Sequence, residues 1–128
     1  MVQNRNINLF SLNIGMSNSL AGLTALVSSE QLDVLFLQEV RMTSLQIESM
    51  LPGFKAAANI DYDNPATPGC AIVWRSYLPV VEITSLVICI LQIANLGPYR
   101  LVNIYAPSGS NRKSERTDFF GQDVFEAL

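Results

Sequence analysis

The sequence has no histidine, only two cysteines, and charged residues at just 15% of its 128 positions. Each shortage excludes something. Cys70 and Cys89 show no C-x-x-C spacing and have no histidine to join them, which excludes a metal site of the zinc type built on them. A disulfide framework in so short a chain usually carries more cysteines, so both read as reduced core residues. The net charge of −3 is not the footprint of a protein that holds nucleic acid by bulk attraction. Any phosphate contact has to come from a local basic patch or a bound metal. The longest unbroken apolar run, Leu86 to Leu91, is far too short to span a membrane. The N-terminal "MVQNRNINLF" has no apolar region of secretory type. The expectation is an intracellular chain with no membrane partner.

What is present is apolar. Hydrophobic residues make up 49% of the chain, enough to bury a core, and the length suits one domain, residues 1–128. "NINLFSLNI" partly alternates polar and apolar residues, as a strand does, and Gly15 breaks it. Ser17, Asn18 or Ser19 can cap a helix running to about Ser29, with Leu20, Leu23, Leu26 and Val27 as its buried stripe. "VLFLQ" is continuously apolar up to Gln38, as a strand buried on both faces should be. Strand, helix and strand in that order predict a βαβ unit with parallel strands. Their C-terminal ends then share one edge of the sheet, so Asn13 and Gln38-Glu39 fall where open α/β sheets hold ligands.

Beyond that unit, Ser44 to Leu51 predicts a short helix stopped by Pro52-Gly53, and "FKAAANI" a short strand. "DNPATPG" is a loop and "CAIVWR" a strand. "LPVVEITSLVICILQIANL" holds one or two strands around a turn that the residues do not mark. "NLGP" is a turn into "YRLVNIYAP", a strong strand ended by Pro107. "LVICILQI" and "YRLVNIYA" read as interior strands, to be covered on both faces. "SGSNRKSER" is a polar loop before a last helix from about Glu115 to Leu128.

A Glu at a strand end is, taken alone, more often a solvated residue than a ligand. Asn13 alone reads as a turn former, and Tyr105 alone as a half-buried core aromatic. "SLNIGMS", "LDVLFLQEVRMT", "GCAIVWRSYLP" and "YRLVNIYAPSGS", in that order, change the weights. Together they resemble the endonuclease/exonuclease/phosphatase superfamily. Within it they look most like the apurinic-type endonuclease domain of non-LTR (LINE-type) retrotransposon proteins. The resemblance implies a DNase I-like four-layer α/β sandwich, two mixed sheets face to face with helices outside, of which this chain supplies about the first half. It implies that Glu39 holds the divalent metal, Mg²⁺ or Mn²⁺. Mg²⁺ suits one or two carboxylates, with water and substrate phosphate filling its other positions. Asn13 matches the family Asn beside the scissile phosphate, and Tyr105 the family Tyr whose hydroxyl contacts that phosphate.

Arg41 lies two residues beyond Glu39, so in extended chain it would face the same way. It could pair with Glu39, meet a phosphate, or stand as a plain surface Arg. Arg112, Lys113 and Arg116 make a local positive patch for DNA backbone phosphates, or else a solvated helix start. The resemblance makes DNA the partner and the nucleus the compartment. Family members also carry an Asp-x-Asn motif and an Asp-His pair in a second half. This sequence contains neither, and it stops within the helix-like "DVFEAL". It therefore reads as an N-terminal half, catalytically incomplete alone. The alternatives are a non-catalytic remnant that binds nucleic acid or metal weakly, and a fragment of a superfamily phosphatase.

Overall fold

The computed structural model describes residues 6–15, 21–29, 31–64 and 66–106. The last helix expected from the sequence, with Arg112, Lys113 and Arg116, lies outside them, as does Pro107. Along the chain come β1 (Leu9–Asn13), α1 (Ala21–Ser29), β2 (Val34–Val40), α2 (Ser44–Met50), β3 (Phe54–Asn59), β4 (Gly69–Arg75), β5 (Val80–Val87), β6 (Leu91–Leu96) and β7 (Tyr99–Ile104). They form two sheets, one in the order β1-β2-β4-β3 and the other β5-β6-β7. The βαβ unit is as expected: β1 and β2 are parallel, with Asn13 opposite Gln38. All other pairings are antiparallel.

Two apolar layers explain why the β2 and β4 sequences carry so few polar residues. Leu35, Leu37 and Val73 face a core shared with Leu23 of α1 and Ile47 of α2. Val34, Ile72 and Trp74 face the second sheet, where Ala94, Leu96 and Leu101 meet them. A strand covered on both sides has no position to spare for a charge, which is the pattern read from "VLFLQ". The start of β2 is pinned by buried Asp33. Its carboxylate accepts the Asn8 N–H at 2.8 Å and the Tyr77 hydroxyl at 3.3 Å. The helix α2 starts on a capping box. Thr43 Oγ1 accepts the Gln46 N–H at 3.2 Å, and Gln46 Oε1 accepts the Thr43 N–H at 2.9 Å.

The segment "LVICILQI", expected as an interior strand, is not a single strand. It contains the reversal between β5 and β6, at Ile88 to Ile90. No Gly, Asn or Pro marks it. Cys89 itself takes the left-handed conformation at φ 65°, and its N–H donates to Asn59 Oδ1 at 3.0 Å. A side chain from the other sheet thus supplies what local turn chemistry does not. The strand before the turn, β5, lies at a sheet edge, with Val81 and Leu86 exposed. Among the described residues β7 is also an edge strand, paired only to β6.

Gly69, opposite Val40, has no room for a side chain. A Cβ there would run into the Asn59 carbonyl oxygen, a backbone atom that cannot rotate aside. Gly69→Ala is expected to destabilise the chain by about 2–3 kcal/mol, the scale of overpacking, read as a lower urea midpoint at unchanged slope.

Cys70 and Cys89 are both free and buried, as expected. Burial, reinforced by the neighbouring Cys89, pushes the Cys70 thiol from 9.0 up to about 12, while a hydrogen bond with Asn59 opposes the shift. The fold therefore favours the neutral thiol. That contribution is complete below pH 9, where the unfolded thiol is also protonated, and is lost as pH rises from 9 towards 12. Stability should fall over that window, and Cys70→Ala should flatten the slope in denaturation series at pH 8 and pH 10.5.

Candidate active site

Parallel pairing puts the C-terminal ends of β1 and β2 side by side. The ladder runs on past Asn13, since the Ile14 N–H donates to the Gln38 carbonyl at 3.1 Å. Asn13 is exposed, and its Oδ1 accepts the Gly15 N–H at 2.9 Å. Gly15 sits at φ 63°, a conformation open to glycine at no steric cost. The turn former and the candidate ligand are thus the same residue: the turn holds the Asn13 amide at the strand tip.

Glu39 is where β2 stops being regular. Gln38 opposes Cys70 and Val40 opposes Gly69, so Glu39 is an extra residue with no partner on β4. It takes φ 57°, left-handed and sparsely populated for a non-glycine residue. Such bulges occur next to active sites, where they re-aim a side chain, and the strain persists only where the surroundings fix it. The fixing is visible in the packing. Alternation would put Val40 on the same side as Val34 and Phe36, towards the second sheet. The bulge returns it to the helix-side core, with Leu35 and Leu37. Glu39 is left half-buried at the strand tip.

The extended chain on which Arg41 would face the same way as Glu39 is interrupted at Glu39 itself, whose φ is 57°. Arg41 is exposed and lines a shallow depression of about 260 Å³ with Met42, Gln46, Ser49 and Met50, along α2.

Tyr105 continues β7 by one further bond, its N–H donating to the Ile90 carbonyl at 2.8 Å. It is 6% exposed and lines a pocket of about 230 Å³ with Asp61, Thr67 and Cys89. This pocket lies at the Asn59 end of β3 and the Gly69 end of β4. By the antiparallel pairings, that is the sheet end where Glu39 lies.

Sequence reasoning passed over the residues that join these tips. Asn103 is 2% exposed between the sheets. Its Nδ2 donates to the Ala71 carbonyl at 2.9 Å, the Leu37 carbonyl at 3.2 Å and Gln92 Oε1 at 3.3 Å. Its Oδ1 accepts from Gln38 Nε2 at 3.1 Å. Gln92 donates in turn to the Ala57 carbonyl at 2.7 Å, and Asn59 donates to the carbonyls of Val87 and Leu91. Amides from both sheets thus bond across the interface, and no buried side-chain polar atom among the described residues lacks a partner. The available signal was an amide at an inward position of an apolar strand, as in "LVNIY" and "ILQIA", which must find a partner.

The profile of the endonuclease/exonuclease/phosphatase family matches residues 6–125, nearly the whole chain. The chain belongs to that family. Among solved structures, an AP endonuclease from Leishmania major is similar at 17% identity and a TM-score of 0.68, over 94% of this chain and 46% of that one. An AP endonuclease from Archaeoglobus fulgidus is similar at 14% identity and a TM-score of 0.70, over 93% of this chain and 49% of that one. Such likenesses show the DNase I-like fold, and this family chain spans about half the length of those two enzymes. No curated protein sequence matches it. Among its described residues no group of three or more His, Cys, Asp or Glu side chains comes together to hold a metal.

Proposed function

We propose that this family chain carries the metal-holding part of a Mg²⁺-dependent DNA endonuclease site of the LINE-type retroelement kind, which nicks a phosphodiester bond in the nucleus. The observation that carries the reading is Glu39: a carboxylate on a left-handed backbone at the tip of β2, one residue past Gln38, which is in register with Asn13 at the tip of β1. The donor chemistry fits the ion. Glu39 offers hard carboxylate oxygens, and Mg²⁺ keeps several waters and takes few protein ligands. Glu39 would hold it. Bound there, the ion supplies Lewis-acid polarisation of a phosphoryl oxygen and offsets charge in the transition state.

The chain's own groups orient the substrate. The Asn13 amide can hydrogen-bond a phosphate oxygen without adding charge repulsion, and the Tyr105 hydroxyl can donate to another. Support for DNA as partner comes from the AP endonucleases that share the fold, and for a retroelement origin from the spelling of "LFLQEVRMT" and "NIYAPSGS". The basic patch at Arg112, Lys113 and Arg116, together with Arg41, would meet the DNA backbone. The chain has no histidine to activate water. The site is therefore proposed to need residues from a second half.

In a parent domain that contains that half, Tyr105→Phe and Asn13→Ala should each lower turnover about 10²-fold while changing DNA affinity little, since both act on charge that develops in the transition state. Gel-shift titration beside single-turnover cleavage separates the two effects, and equal losses would mark ordinary contact residues. The test of the function is nicking of supercoiled plasmid in Mg²⁺. The parent domain should nick and this chain alone should not. Nicking by the chain alone that is lost in Glu39→Ala would overturn the need for a second half. Phosphate release from a phosphoinositide, with plasmid left intact, would make the parent a phosphatase.

A further inference from the structure

The three candidate residues sit on three strands from two sheets. One side chain reaches all three strands just upstream of them. Gln38 Nε2 lies 3.1 Å from Ser11 Oγ on β1, 3.0 Å from the Phe36 carbonyl on β2 and 3.1 Å from Asn103 Oδ1 on β7. Ser11 is two residues before Asn13. Asn103 is two before Tyr105. Gln38 itself is the last regular residue before the Glu39 bulge. Resting on the metal-site reading above, we propose that Gln38 is a positioning residue, whose carboxamide fixes the relative slide of β1, β2 and β7 and thereby the alignment of Asn13, Glu39 and Tyr105.

A strand's side chains alternate, so residues two apart share a face. Ser11 carries its placement to Asn13, and Asn103 carries its own to Tyr105, whose N–H keeps the β6 ladder going. The two strands lie in different sheets and share no ladder. A polar bridge between the sheets is the device that can fix their slide, because apolar contacts across a sandwich tolerate small shifts while a hydrogen bond weakens steeply with misalignment. Gln38 is half-buried, and a leucine there would bury apolar surface equally well. Its amide specifies geometry where a hydrocarbon would not.

The test compares wild type with Ser11→Ala and Gln38→Ala by amide NMR, first without metal and then in Mn²⁺ titration. Without metal, Ser11→Ala should shift the resonances of Asn13, Ile14 and Gly15 and leave that of Tyr105 in place. Gln38→Ala should shift the Asn13, Val40 and Tyr105 resonances together. In the titration, Mn²⁺ should broaden Asn13 and Tyr105 at lower concentration in wild type than in Gln38→Ala. The expected loss is about 10-fold in affinity, the scale for groups that support a metal ligand. A folded Gln38→Ala with Asn13 and Tyr105 unmoved overturns the proposal, as does unchanged Mn²⁺ affinity beside metal-free shifts. If Gln38→Ala does not fold, Ser11→Ala decides: a Tyr105 shift equal to that of Asn13, or no shift at Asn13, overturns it. If wild type binds no Mn²⁺ at Glu39 and the metal-free shifts still appear as expected, the metal reading falls and the alignment by Gln38 stands.

Discussion

Asn103→Ala is expected to lower the stability of the chain by about 3–4 kcal/mol, which is a large share of the ~5–15 kcal/mol that holds a domain folded. The amide bonds Leu37 and Ala71 in one sheet and Gln92 in its own, and it receives Gln38. Alanine takes from Gln92 Oε1 the donor it has from Asn103, and a buried polar group without a partner costs about 1–3 kcal/mol, while Gln38 Nε2 keeps Ser11 Oγ and the Phe36 carbonyl. It also opens a gap between the two sheets. The control is Asn95→Ala in the same sheet. Asn95 bonds Glu82 at the surface, with Nδ2 to Oε2 at 2.6 Å, where water replaces what is lost. The expected cost there is under about 0.5 kcal/mol. Urea melts of both variants check the contrast; equal losses would mean that the inter-sheet amides do not hold the sandwich together.

The second large effect is on chemistry. In a parent domain with the second half present, Glu39→Ala should cut the rate of plasmid nicking at least about 10³-fold, the scale of losing a preorganised charge-stabilising group. Stability should move the other way or not at all. Glu39 has no ladder partner, and its left-handed backbone suits glycine better than any L side chain. Glu39→Gly is therefore expected to melt no lower than wild type while being as inactive as Glu39→Ala. That opposition, strain kept at the cost of stability, is what a functional carboxylate at a bulge should show. A Glu39→Gly variant that unfolds readily would make the residue structural.

How much of this could be read in advance depends on whether the determinant was local. The βαβ unit was legible because period-2 alternation, Gly15 and the apolar run to Gln38 each carry their own physics within a few residues. The placing of Asn13 and Glu39 on one edge followed from parallel pairing alone. The β5–β6 turn was not legible, because the left-handed Cys89 is held by Asn59, a side chain 30 residues away. Arg41 was placed by counting along an extended strand, and the count fails at the Glu39 bulge, whose cause is packing of Val40 into the helix-side core. Gln38 was read only as the end of an apolar run. Its bond to Asn103 spans 65 positions, and no local pattern announces it. The resemblance implied Tyr105 near the site; the structure puts Tyr105 at the sheet end where Glu39 lies, with its N–H on the Ile90 carbonyl.

The most direct test is a Mn²⁺ titration of this chain and its Glu39→Gln variant, followed by loss of the free-ion electron paramagnetic resonance signal. With one carboxylate as its protein donor, the site should bind weakly, with a dissociation constant on the order of 1 mM. Glu39→Gln, which keeps the shape and removes the charge, should abolish that binding without lowering the melting temperature. Binding of the same strength in the variant would contradict the account, because the ion would then be held somewhere other than the tip of β2.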